Sequence, residues 1–86
     1  MPEISRFYGI VIKMFFDDHS PSHFHALYGG DEALIAINTR ALIAGHLPPR
    51  AMGLVIEWAT LHQNELQADW GRAKALEPLD KIDPLP

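Results

Sequence analysis

Two incompatible hydrophobic periods meet at Pro48-Pro49, and no other feature of the chain restricts its fold as much. Upstream, Gly9 to Phe16 is β-branched and aromatic, and a two-residue repeat puts Ile10, Ile12, Met14 and Phe16 on one face of a strand. Downstream, from about Arg50 to Leu76, polar or small residues recur three and four apart at Arg50, Gly53, Glu57, Thr60, Asn64, Gln67 and Gly71. Met52, Val55, Ile56, Trp58, Ala59, Leu61, His62 and Leu66 fill the remaining arc, as an amphipathic helix requires. The two prolines end the first pattern and open the second, because a missing N–H costs nothing at the start of a helix.

Three more strands are expected between Phe16 and the prolines. Asp17-Asp18-His19-Ser20-Pro21-Ser22 reads as a loop, since proline lacks a ladder donor and Asp and Ser favour turns. A second strand, His23 to Tyr28, ends at Gly29-Gly30-Asp31, a hairpin turn signal. Glu32 to Ile37 is the third strand, Asn38-Thr39-Arg40 turns the chain, and Ala41 to His46 is the fourth. The fold expected is α+β: a four-stranded antiparallel meander packed on one long C-terminal helix, in a single domain over residues 1–86. The segment Glu77 to Pro86, with three prolines and with Leu79, Ile82 and Leu85 among its charges, is either a docked edge segment or a mobile end.

Composition narrows the function classes. With 48% hydrophobic and 21% charged residues, disordered and collagen-like chains are excluded. Lys+Arg 7 against Asp+Glu 11 gives a net charge of -4, and Arg40, Arg50, Arg72, Lys74 and Lys81 are scattered, so no basic patch announces a nucleic-acid surface. There is no cysteine, which removes disulfides and thiolate ligands. Met1-Pro2-Glu3-Ile4-Ser5-Arg6 lacks the basic and apolar regions of a signal peptide, and no apolar run is long enough for a membrane span, so the expected compartment is the cytoplasm, without membrane association.

Chemistry concentrates in one place. Of five histidines, three fall within seven residues, at His19, His23 and His25, beside Asp17 and Asp18. On a strand, His23 and His25 point to the same face. His19 on the preceding loop would then complete a three-nitrogen set, and Asp17 or Asp18 would add an oxygen ligand or orient an imidazole, a donor set that suits zinc, manganese or iron, all divalent transition metals. The same three histidines could work without metal, one as general base and another as general acid, in the chemistry that cleaves RNA through its own 2′-hydroxyl. They could also be structural, with each ring bonded to its own loop and Phe24 buried between them. Ser20 and Ser22 lie in the same loop as conceivable nucleophiles, although catalytic triads are seldom assembled from neighbours in sequence. His46, at a strand end, reads as a solvated turn residue. His62, on the apolar arc of the helix, reads as a packed histidine, Trp58 as a core anchor and Trp70 as a semi-exposed packing residue.

Several separated motifs carry a resemblance that covers nearly all of the chain. The start Met1-Pro2-Glu3-Ile4-Ser5-Arg6-Phe7-Tyr8-Gly9-Ile10, the Asp-His-x-Pro-x-His-Phe-His pattern within Phe16 to His25, and Leu47-Pro48-Pro49-Arg50-Ala51 followed by Glu57-Trp58-Ala59 and His62 resemble the small bacterial family known as domain of unknown function 4160. The resemblance implies genetic context: members tend to be encoded beside another very small protein, as in toxin–antitoxin pairs, and some are labelled transcriptional regulators. One long helix in place of three short ones disfavours a helix-turn-helix DNA reader. The expectation is therefore a small cytoplasmic component of a two-gene, toxin–antitoxin-like module. Its site would be His19, His23 and His25, its partners the protein encoded by the adjacent gene and RNA. The alternative is a non-enzymatic protein-interaction or transcription-regulatory module with structural or metal-binding histidines. An open strand edge would also suit a homodimer.

Overall fold

The β-branched, alternating first half of the chain forms five strands and the second half two helices. A computed structural model describes residues 3–16 and 19–86. Its elements are β1 (Glu3–Phe7), β2 (Ile10–Lys13), β3 (His23–Tyr28), β4 (Asp31–Ala36), β5 (Leu42–Gly45), α1 (Pro49–Leu61) and α2 (Gln63–Lys74). The strands lie in the order β1-β2-β3-β4-β5, each antiparallel to its neighbours. The α+β class and the meander agree with the sequence reading, but its four strands and one long helix do not.

The additional strand is β1, which pairs with β2 through a tight turn at Tyr8-Gly9. Both turn residues take positive φ, +49° at Tyr8 and +80° at Gly9. This backbone twist matches that of a hairpin, yet a tyrosine in the first position hides the turn from a reading that looks for Asn-Gly or Asp-Gly. Gly9 consequently belongs to the turn rather than to a strand. The helical region divides at His62, whose φ of -116° and ψ of +29° are non-helical. The His62 N–H still donates to the Trp58 carbonyl oxygen and the Leu66 N–H to the His62 carbonyl oxygen, so hydrogen bonding continues across the break. The three-and-four spacing of polar residues therefore runs through the break without a change of phase.

Alternation places Ile10, Ile12, Phe24, Ala26, Ala33 and Ile35 on the sheet face covered by the helices, all fully buried. Val55, Trp58, Ala59 and Leu66 meet them from α1 and α2. Trp58 is the anchor: its ring centroid lies 5.4 Å from Phe7 and 5.8 Å from Phe24. Phe16 and Leu61, both expected on buried faces, are exposed.

The segment after α2 is docked, which decides between the two readings of residues 77–86. The Ile82 N–H donates to the Ile4 carbonyl oxygen at 2.7 Å along the outer edge of β1. Trp58 Nε1–H donates to the Asp83 carbonyl oxygen at 2.8 Å, and the Tyr8 hydroxyl to that of Pro86 at 2.6 Å. Ile82 and Leu85 are buried by this docking. Among the described residues no helix is long and apolar enough to cross a membrane.

Candidate functional site

The site is set by the register of β3. Phe24 and Ala26 point to the helix-covered side, so His23 and His25 share the opposite face. Their ring centroids are 5.3 Å apart, and the residues are only 7% and 9% exposed. Phe15 meets His25 edge-to-face at 4.7 Å, and Trp70 of α2 packs on His23 at 5.5 Å.

Trp70 reaches this point because α2 is anchored at the β4–β5 turn. Gln63 Nε2–H donates to the Ile37 carbonyl oxygen at 2.5 Å, Arg40 donates to the Gln63 side chain at 3.1 Å, and Gln67 bonds to Asn38. The Ile37 N–H donates to the Ser22 carbonyl oxygen at 3.0 Å, joining that turn to the residue before His23.

Each imidazole is oriented through Nδ1. For His23 this nitrogen is 2.8 Å from the Pro21 carbonyl oxygen, for His25 it is 2.9 Å from Glu32 Oε2. A carbonyl oxygen and a carboxylate only accept, so both Nδ1 atoms carry the proton, and in the neutral ring the lone pair resides on Nε2. Holding a histidine through one nitrogen while the other performs chemistry is the arrangement used by general bases and by metal ligands alike.

The other described candidates, His19, Ser20, His46 and His62, have different settings. His19 and Ser20 are exposed. Among the described residues no group of three or more His, Asp or Glu side chains gathers to hold a metal ion, so His19 does not complete a three-nitrogen set with His23 and His25. Asp17 and Asp18 lie outside the described residues. His46 is exposed, as expected of a turn residue. His62 is half-buried at the α1–α2 junction, its ring 5.6 Å from Trp58 and its Nδ1 2.5 Å from Glu65 Oε1.

Glu32, Phe15 and Trp70 were not among the sequence candidates. Glu32 was within reach of sequence reasoning: the two-residue turn at Gly29-Gly30 pairs Leu27 with Glu32 and His25 with Leu34, which makes Glu32 the diagonal neighbour of His25 on the same face. Trp70 carried no such signal, because its position depends on how α2 docks.

On the same side of the sheet, Lys13 is the cross-strand partner of His25 and also pairs with Glu3 of β1. Arg6 grips Glu3 with hydrogen bonds of 2.8 and 3.1 Å. The Arg6 hydrogen bond holds the Glu3 carboxyl below its ordinary range, and Glu3 raises Arg6 in turn, Arg6 being exposed and Glu3 half-buried.

No curated protein and no solved structure matches this chain. Residues 9–71 match a family profile, a span that runs from the β1–β2 turn into α2 and includes both oriented histidines. On that match the chain belongs to the family described as Domain of unknown function (DUF4160).

Proposed function

We propose that this protein is a small cytoplasmic component of a two-gene, toxin–antitoxin-like module and that His23 and His25 perform acid–base chemistry on RNA. The observation that carries the proposal is the pair itself: two imidazoles 5.3 Å apart, each fixed through Nδ1 by an acceptor. Cleavage of RNA by internal transfer needs one base and one acid. The base takes the proton of a 2′-hydroxyl, the 2′-oxygen bonds to phosphorus, the bond from phosphorus to the 5′-oxygen breaks, and the departing oxygen receives a proton from the acid. Glu32 is placed to offset the positive charge that His25 carries as the acid, which leaves His23, held by a neutral carbonyl, as the base. With so little of either residue in solvent, contact with RNA is confined to that exposed fraction.

Expression of the wild type and of the His23→Ala/His25→Ala double variant tests this reading. The wild type is expected to slow growth and to convert single-stranded RNA to fragments ending in a cyclic phosphate, and the folded double variant to do neither. Toxicity unchanged in that variant removes the pair from the mechanism. Elemental analysis of untagged protein covers a metal form of the site, with His23, His25, Asp17 and Asp18 as its donor candidates; a stoichiometric zinc, manganese or iron replaces the metal-free chemistry.

A second reading rests on β5. This edge strand is exposed along its whole length, with Leu42 51% and Ile43 43% in solvent. An open edge invites another strand, and histidines as covered as His23 and His25 are compatible with a purely structural role. The protein would then be a non-enzymatic interaction or transcription-regulatory module that binds the small protein encoded beside it, or a second copy of itself. Co-purification with that protein, lost on Ile43→Lys, supports this reading over the first.

A further inference from the structure

We infer that Lys13 forms a phosphate-holding subsite beside the histidine pair, taking the non-bridging oxygens of an RNA phosphodiester. The inference rests on the acid–base reading above for its choice of ligand and on the sheet register for its geometry. Lys13 and His25 are direct partners across β2 and β3, which sets their Cβ atoms roughly 5 Å apart on one face. Phe15, two residues further on, follows the same alternation and packs on the His25 ring at 4.7 Å. Lys13, His23 and His25 on this sheet face, with Phe15 just beyond the end of β2, therefore line one strip.

The other charges of that strip already have partners. Arg6 is bonded to Glu3 and Glu32 to His25. Among the described residues no carboxylate makes a hydrogen bond or close ion pair with the Lys13 ammonium, whose charge acts on the cross-strand Glu3 carboxyl only through space, as a weaker influence than Arg6. A half-buried lysine lays its apolar stem along the sheet and carries a mobile charge with three donors at its tip. In transfer to a 2′-oxygen, negative charge accumulates on the non-bridging oxygens, and a cation fixed beside the acid stabilises it. Because the chain is acidic overall, at -4, attraction for RNA has to be local, and Lys13 supplies it at the point where the chemistry would occur.

The probe is a single-stranded oligoribonucleotide bearing 2′-O-methyl groups, which binds but cannot react. Fluorescence anisotropy at several salt concentrations is expected to show binding to the wild type and to Lys13→Arg. Lys13→Gln should bind roughly five- to tenfold more weakly, with a salt slope shallower by about 0.7, the loss of one phosphate contact. Amide NMR of the wild type during the same titration, which needs no variant, should centre its shifts on Lys13, His23 and His25. Lys13→Gln binding as tightly as the wild type overturns the subsite even where cleavage of ordinary RNA stays histidine-dependent. Absence of wild-type binding, or shifts centred elsewhere, overturns it too. Lys13-dependent binding without any cleavage of ordinary RNA upholds the subsite and removes the acid–base reading.

Discussion

A Cβ built on Gly45 would overlap the carbonyl oxygen of Glu32 and stand 3.1 Å from the Cα of Ala33. Gly45 also has φ +82°, a region L side chains avoid. The absence of a side chain thus lets β5 close on β4 at the residue whose carboxylate orients His25, and the next N–H, of His46, donates to that same Glu32 carbonyl oxygen at 2.9 Å. Neither the backbone strain nor the overlap can be relieved by a rotamer change. Gly45→Ala is expected to cost about 2 kcal/mol or more, a fall in Tm of roughly 10 °C for a chain of this size. Gly30→Ala, with open space around it, is the control and should melt within a few degrees of the wild type. Equal melting of the two variants would disprove the close approach.

Asp69 has no exposed surface and joins α2 to the segment that follows it. Its Oδ1 accepts from Arg72 at 2.7 Å and from the Asp80 N–H at 2.9 Å. Asp69→Ala strips both donors of their acceptor and should destabilise the fold by about 2 kcal/mol, less than for a fully sealed pair because Arg72 can turn to water. Limited proteolysis supplies the local readout. Cleavage between residues 77 and 86 should accelerate before the rest of the chain is attacked, and uniform sensitivity along the chain would count against an anchoring role.

Trp58 combines a fully buried ring with a hydrogen bond to Asp83. Trp58→Phe retains most of the apolar contact and loses the donor and part of the volume, at a cost of about 2–3 kcal/mol. Only two tryptophans are present, so emission from the variant reports Trp70 alone. Its spectrum should lie to the red of the wild type, since Trp70 is half-exposed and Trp58 is not.

How much of this was legible in the sequence follows from the range of the forces involved. β3 appears with the expected bounds because alternation and the Gly29-Gly30 turn are local signals that agree. β1 was missed because its turn uses Tyr8 at positive φ, a choice that local propensity disfavours and the surrounding packing enforces. The break at His62 left no trace because hydrogen bonding resumes in phase on both sides of it. For the site, alternation alone put His23 and His25 on one face, and counting across the hairpin would have added Glu32. The contact between His23 and Trp70 could not be read. It depends on Gln63, Arg40 and Gln67 docking α2 to a turn more than twenty residues away in sequence, which no periodicity encodes.

The orientation of the two imidazoles makes a prediction independent of any substrate. Pro21 O and the Glu32 carboxylate are acceptors, so at alkaline pH both His23 and His25 should show the tautomer protonated at Nδ1 in long-range proton–nitrogen NMR. Glu32→Ala withdraws the acceptor from His25 only. His25 should then change tautomer or average between the two, while His23, held by backbone, keeps its own. On the acid–base reading the same variant lowers kcat on RNA by roughly tenfold to a hundredfold and leaves KM within about twofold, because Glu32 positions His25 and does not itself touch RNA. Glu32→Asp, which retains the charge on a shorter arm, should recover part of both signals. A Glu32→Ala protein in which His25 keeps the Nδ1 proton would show that the ring is oriented by something other than this carboxylate, and the role given to Glu32 would fall with it.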